Sequence, residues 1–273
     1  MKLHVATAVL LALLVVAPVV VIPALAQNPL SSQIQVAPPP FRRSDAPSAT
    51  ATAEELERKG DLLRADKAML DAIDYFRAAL AKKPKDALLV NKIGIVQLQI
   101  GRYSEARKTF ETAIRFDRTY ADAHNNLGVC HYLAKDYGRA IKEYRKAIKL
   151  QEESASFHNN LGAVYFAKRD FTKAMSSYAR ALQLDPDVFE HTSRVGVAAQ
   201  MSSPEDRAAY FYLLARMYAK SGATERSLSY LRRAMEEGYK DINKVYRDEE
   251  FSTIRKDPGF ADLMSHKPSA IPD

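Results

Sequence analysis

The 273-residue chain has a single cysteine, Cys130, so no internal disulfide can form. In an oxidising compartment that thiol must be buried, unreactive or paired with another chain, and a small buried hydrophobe is the expected role. Proline is scarce where it would interrupt structure. Of 13 prolines, only Pro84, Pro186, Pro204 and Pro258 fall between residues 48 and 267, which fits a body that is nearly all helix. Catalytic signatures are missing too: there is no HExxH, no glycine-rich phosphate loop and no nucleophile elbow. Glu54, Glu57 and Asp61 share one helix face, and carboxylates a turn apart on a solvated helix are not a facing acid/base pair. No enzymatic activity, cofactor or metal is expected.

What is present is a period. Gly60, Gly94, Gly128, Gly162 and Gly196 are spaced by 34 residues. The first four lie in apolar patterns of helical period, where glycine costs about 1 kcal/mol relative to alanine. A cost repeated at equal intervals points to the close approach of a second helix. That helix has its own markers. Ala72, Ala106, Ala140 and Ala174 begin a stripe, the aromatics Phe76, Phe110, Tyr144 and Tyr178 follow, and Ala79, Ala113, Ala147 and Ala181 complete it. HNNLG recurs intact at residues 124–128 and 158–162.

On these residues the chain resembles the tetratricopeptide repeat family. The resemblance covers Ala53 to Val188 and implies an all-α, right-handed α-solenoid of stacked helical hairpins with a C-terminal capping helix. Lys59 departs from the family pattern, as do Arg118 and Glu152 where proline would be typical. Four units are expected, at 53–86, 87–120, 121–154 and 155–188. Beyond them two frames compete. Gly196 keeps the 34-residue phase, whereas Ala215 in the glycine role, with Gly222 as the turn and Leu231 and Ala234 on the partner helix, fits the downstream sequence better. The second frame is preferred. It gives an irregular insertion at 189–207, a fifth hairpin at 208–239 with helices near Glu205–Lys220 and Thr224–Glu237, a cap at 240–267 and a tail at 268–273.

At the front, Lys2, the apolar run from Val5 to Ile22 and Ala24-Leu25-Ala26 have the layout of a signal peptide (1–26) cut before Gln27. An uncleaved anchor facing the periplasm is the alternative. Export to the periplasm or beyond is the expectation, with membrane contact only if this segment is retained. Residues 27–52, rich in Pro, Ser and Ala, are expected to form a disordered tether.

The formal charge of +7 is spread among both signs. The densest basic run is Arg139, Lys142, Arg145, Lys146 and Lys149, expected to be a solvated outer face or else a contact for an anionic lipid or polymer. A nucleic-acid partner is not expected, because aromatics do not interleave with a continuous basic stripe. His124 and His158 lie one period apart without recurring co-ligands, so both are assigned to packing at unit junctions.

The resemblance further implies a concave groove lined by the first helices. It would hold Asn91, Lys92, Asn125, Asn126, Tyr132, Asn159, Asn160 and Phe166, amides over an apolar and aromatic floor. Asparagine offers both a donor and an acceptor to an extended peptide. The alternative is that the amides only bond neighbouring helices. The expected function is a protein-interaction scaffold that takes a protein or peptide segment in this groove. The alternative is a structural component of an envelope complex that uses its convex basic face. Under the first reading, Asn126→Ala combined with Asn160→Ala weakens capture with little effect on thermal stability.

Overall fold

The computed structural model describes residues 45–189 and 203–269. The leader, residues 27–44 of the tether, Gly196 and residues 190–202 of the insertion lie outside the described residues. No strand occurs among those described. Four helical hairpins come first: α1 (Ala53–Ala65) with α2 (Met69–Lys82), α3 (Ala87–Gln99) with α4 (Tyr103–Phe116), α5 (Ala121–Leu133) with α6 (Tyr137–Leu150), and α7 (Ala155–Ala167) with α8 (Phe171–Leu184). A fifth hairpin pairs α9 (Pro204–Lys220) with α10 (Thr224–Glu236).

Each hairpin is made by local chemistry that recurs with the period. Every first helix ends on a residue in the left-handed region: Lys67 at φ 62°, Gly101 at 78°, Lys135 at 59°, Arg169 at 61° and Gly222 at 80°. The next amide then reaches back along the helix, as in Asp136 N to His131 O at 2.9 Å and Ala223 N to Tyr218 O at 2.9 Å. This bond satisfies a carbonyl that the helix end would otherwise orphan. Second helices start on side-chain caps where an aspartate is available, with Asp136 accepting from Arg139 N and Asp170 from Lys173 N.

The seam within each hairpin is a glycine under an aromatic ring. A Cβ placed on Gly60 would stand 2.6 Å from Phe76 Cε1, on Gly94 2.5 Å from Phe110 Cε1, and on Gly128 2.6 Å from Tyr144 Cε1. On Gly162 it would stand 2.5 Å from Tyr178 Cδ1. All four rings are fully buried, as are the alanines on either side of them. The fifth hairpin follows the Ala215 frame with a small residue in each slot: Ser227 Oγ donates to Ala215 O at 2.8 Å, and Leu231 replaces the ring.

Three expectations need correcting. Residues 45–52, taken as part of a disordered tether, lie against the first hairpin. Tyr75 Oη donates to Asp45 O at 3.1 Å and Lys82 Nζ to Ala49 O at 2.8 Å. Ala51 packs on the first apolar cluster, and Thr52 forms a capping box with Glu55. The insertion also ends earlier than residue 207, since α9 begins at Pro204 on the Ser203 cap. Proline suits a first helical turn, where its missing N–H would be unpaired anyway.

The cap, finally, is not one amphipathic helix. Three 3-10 turns (Ile242–Tyr246, Glu249–Phe251, Ile254–Lys256) lead into the short α11 (Pro258–Ser265). Val245, Phe251, Ile254, Phe260 and Leu263 are among its buried residues. Arg255 Nη1 donates to Val245 O and Asp248 O, which holds the turns together.

The joint between the fourth and fifth hairpins is filled by rings. Phe166 and Tyr178 both meet Tyr210 edge-on, at 5.7 and 5.8 Å, and Tyr178 meets Phe189 at 5.5 Å. Tyr218 stacks on Tyr230 at 5.3 Å. Such offset and edge-on geometries suit the ring quadrupoles.

The Tyr144 and Tyr178 hydroxyls, buried in the seam, have no hydrogen-bond partner among the described residues. Phenylalanine fills those slots in the first two units. Tyr144→Phe and Tyr178→Phe are therefore each expected to leave stability unchanged or to raise it by about 1 kcal/mol, since an unpaired buried hydroxyl carries a desolvation cost. Urea denaturation measures this, and a loss above about 1 kcal/mol in either variant would show that the hydroxyl has a partner in solution.

Candidate functional site

Position along the repeat decides which side chains of the first helices meet. One residue of each unit reaches back to the preceding first helix, and the bond repeats with an offset of 35 residues. Asn126 Nδ2 donates to Asn91 Oδ1 at 3.0 Å, and Asn160 Nδ2 to Asn125 Oδ1 at 2.9 Å. At the start of the stack the same slot is charged: Lys92 Nζ lies 2.6 Å from Glu57 Oε1 and 2.5 Å from Asp61 Oδ2. Burial alone would depress the Lys92 ammonium, but the hydrogen bonds to Asp61 and Glu57 outweigh it and hold its pKa above the ordinary lysine value.

The amides are thus engaged with one another, as the alternative reading of the sequence allowed. Asn125 Nδ2 also donates to Asn126 Oδ1 at 3.3 Å, and Asn91 Nδ2 to Tyr120 Oη at 3.3 Å. Tyr120 is itself half-buried, and burial first, then the Asp122 charge, pushes its hydroxyl up to about 12. Asn91 and Asn125 are buried, and Asn126 and Asn160 half-buried. This geometry does not fit a small thermal effect from removing Asn126 and Asn160, because each deletion strands a buried acceptor.

Asn159 breaks the pattern. It is 9 % exposed, and its Oδ1 has no hydrogen-bond partner among the described residues. The reason is in the register. The donor slot two residues before each seam residue is Asn126 before Gly128 and Asn160 before Gly162. In the fifth hairpin that slot, two before Ala215, is the buried Leu213. The ladder runs out one donor short.

The aromatic members of the expected groove part company. Tyr132 is half-buried, tilted against Tyr137 at 5.7 Å, with burial pushing its hydroxyl up to about 12. Phe166 is only 3 % exposed and lies between Phe171 and Tyr210, so it belongs to the joint and not to an open floor. The accessible slots on this face are Leu88, Asp122 and Ser156, one per unit and all exposed. Half-buried Ile95, Leu98 and Tyr132 provide the apolar surface beside them.

The fifth hairpin uses the equivalent face to hold the cap. Tyr212 Oη donates to Asp248 Oδ2 at 2.9 Å, and Arg216 Nη2 to Glu250 Oε1 at 2.6 Å. Sequence offsets of 36 and 34 make these the charged counterparts of the asparagine bridges. The cap therefore takes the place of a sixth first helix. The spacing of Arg216 and Glu250 at one period is the sequence signal for this pairing.

The two repeat-related histidines serve the unit junctions. His124 Nδ1 donates to Glu143 Oε2 at 2.7 Å while Nε2 faces Arg118 O at 3.3 Å, and His158 Nε2 faces Glu152 O at 3.0 Å. Arg118 and Glu152, the two positions that depart from proline in the family pattern, supply the carbonyls. Cys130 is buried, and burial pushes its thiol up to about 12. Among the described residues no group of three or more His, Cys, Asp or Glu side chains is placed to hold a metal ion. No helix among them is long and apolar enough to cross a membrane.

Helical hairpins stacked at a fixed period, bridged through their first helices, define an α-solenoid repeat protein. Models of the tetratricopeptide repeat match residues 91–154, 136–188 and 209–245. The chain belongs to the tetratricopeptide repeat family. Solved structures similar to it include TTC0263, a thermophilic TPR protein of Thermus thermophilus, at 21% identity over 75% of this chain and 100% of that one, with a TM-score of 0.49. MamA from Desulfovibrio magneticus is 15% identical over 70% of this chain and 97% of that one, with a TM-score of 0.48. YrrB, a TPR protein with an unusual peptide-binding site, is 20% identical over 71% and 91%, with a TM-score of 0.45. No curated protein matches the chain.

Two outcomes follow from these contacts. Asn126→Ala and Asn160→Ala should each lower stability by about 1–3 kcal/mol in chemical denaturation, because Asn91 Oδ1 or Asn125 Oδ1 is left unpaired. A change below about 0.5 kcal/mol would mean that water replaces the bridge. The second outcome concerns pH. The hydrogen bond from His124 holds the Glu143 carboxyl below the ordinary carboxylate range. A lowered folded pKa gives stability that is present above the unfolded value, about 4.3, and lost as pH falls through the folded one. The stability difference between wild type and Glu143→Gln should be full above about pH 5 and shrink below about pH 4. A difference independent of pH across that window would contradict the pairing.

Proposed function

We propose that this protein is an interaction scaffold whose first-helix face holds an extended segment of a partner polypeptide. The observation that carries the reading is Asn159, a buried amide oxygen that meets no donor among the described residues, where the inter-helix ladder stops. A buried acceptor that meets no donor is a standing cost of about 1–3 kcal/mol. A partner's backbone N–H or amide side chain laid along α7 would satisfy it. Exposed Ser156 one turn before it, and Leu88 and Asp122 in the two preceding units, offer further contacts along the same line. Half-buried Ile95, Leu98 and Tyr132 give the segment apolar surface to cover. Membership of the tetratricopeptide repeat family supports a protein or peptide partner over a small molecule.

The test separates a binding residue from a structural one. Peptides selected from a displayed random library against the full chain would be titrated by calorimetry into wild type and Asn159→Leu. Removing the orphan acceptor should leave the melting temperature unchanged or higher while binding weakens about tenfold or more, the effect of losing one well-made hydrogen bond to a buried group. Lys142→Glu, on the opposite side of the hairpins, should bind as wild type does. Unchanged affinity in Asn159→Leu would remove Asn159, and with it this reading of the groove.

A further inference from the structure

The outer side of the second helices carries a charge pattern that the groove does not use. On α6 the buried stripe is Ala140, Tyr144 and Ala147. Lys142, Lys146 and Lys149 follow these by two residues each, and two residues turn a helix by about 200°. The lysines therefore run along the ridge opposite the core. They lie on the solvent side of α6, and among the described residues none has a hydrogen-bond or ion-pair partner. One period earlier the same ridge of α4 holds Lys108, Thr112 and Arg115, and one period later that of α8 holds Ser176, Arg180 and Gln183. The carboxylates of α4 and α6 are engaged elsewhere: Glu105 with Arg102 at 3.6 Å, Glu111 with Arg107 at 3.4 Å, and Glu143 with His124 at 2.7 Å. What remains is a field of one sign spread over three successive units.

We infer that this ridge is a docking surface for an anionic lipid bilayer. Its chemistry favours a diffuse partner over a shaped one. The three α6 side chains are lysines, point charges on flexible stems, and not the planar forks that fix a carboxylate or phosphate in one geometry. No aromatic side chain lies between the three lysines on the exposed ridge of α6, where a protein hot spot or a nucleic-acid platform would need an anchor. Mobile headgroups supply the delocalised negative potential that such a row attracts. If the apolar run from Val5 to Ile22 is retained, it joins the body through the Pro- and Ser-rich residues 27–44 and adds a second signal to the ridge. An apolar segment with a basic patch is the two-signal combination that gives stable membrane association. Docked in this way, the second helices face the lipid and the groove of first helices stays open to a partner.

The experiment uses the full chain in vesicle flotation, with phosphatidylcholine alone and with phosphatidylcholine containing phosphatidylglycerol. Any contribution of the apolar segment appears on both. The ridge should add a phosphatidylglycerol-dependent increment that disappears at high salt. K142E/K146E/K149E, and the neutral K142Q/K146Q/K149Q, should lose that increment about tenfold or more, with unchanged circular-dichroism melting. A control with the same charge change on other surfaces, K59E/R247E/K256E, should keep it, and so should Asn159→Leu, which separates this surface from the groove. The inference is overturned if the ridge variants bind phosphatidylglycerol vesicles as wild type does, or if the control loses as much. Tighter ridge-dependent binding to soluble polyglutamate or duplex DNA than to the vesicles would overturn it as well.

Discussion

Everything in the body rests on a ring lying where a Cβ would otherwise be. In each of the first four hairpins the aromatic of the second helix sits directly over the glycine of the first, at separations no side chain could share. That contact sets how closely the two helices approach and buries the flanking alanines completely. Once the hairpin is fixed, the residues before the glycine are presented to the next first helix at a constant offset. The asparagine bridges and the Lys92 cluster are consequences of that constancy, as are the ion pairs holding the cap. A hairpin alone cannot bury its exposed apolar edge, so the stack is stable only as a series with both ends covered. Residues 45–51 press on α2 at one end, and the four short helices after Lys240 close the other.

The parts legible in the sequence are those set by steric exclusion. Glycine at equal spacing has few physical explanations, and the Gly60-to-Gly162 series was enough to give helices and hairpins. Alanine in the glycine role at position 215 was readable for the same reason. Side-chain hydrogen bonds were not readable in that way. An asparagine amide serves a peptide or a neighbouring helix equally well, and only the register of α3, α5 and α7 shows that Asn91, Asn125, Asn126 and Asn160 serve each other. Asn159 looks identical to Asn125 in sequence. It differs because its successor slot is filled by Leu213, a fact that depends on where the fifth hairpin sits.

Composition also misled at two places. The stretch to Thr52 reads as uniformly polar and proline-rich, yet its last eight residues supply carbonyl acceptors to Tyr75 and Lys82. Phe166 reads as groove floor by its repeat position, but the shifted entry of α9 brings Tyr210 over it. Both are tertiary effects on residues whose local pattern carries no warning. The solenoid that results has two unlike faces. First helices present amides beside apolar surface, while the ridge of the second helices presents exposed lysines.

The central claim is that ring and glycine are coupled within a hairpin, and a double-mutant cycle on one seam measures it directly. Gly94→Ala should destabilise the protein by about 1–3 kcal/mol where Phe110 is intact. In a Phe110→Leu background the added methyl has room, so its cost should fall and the cycle should show a coupling of at least about 1 kcal/mol. Additive losses, agreeing to within about 0.5 kcal/mol, would mean that the two side chains do not share that space, and the architecture built on it would have to be abandoned.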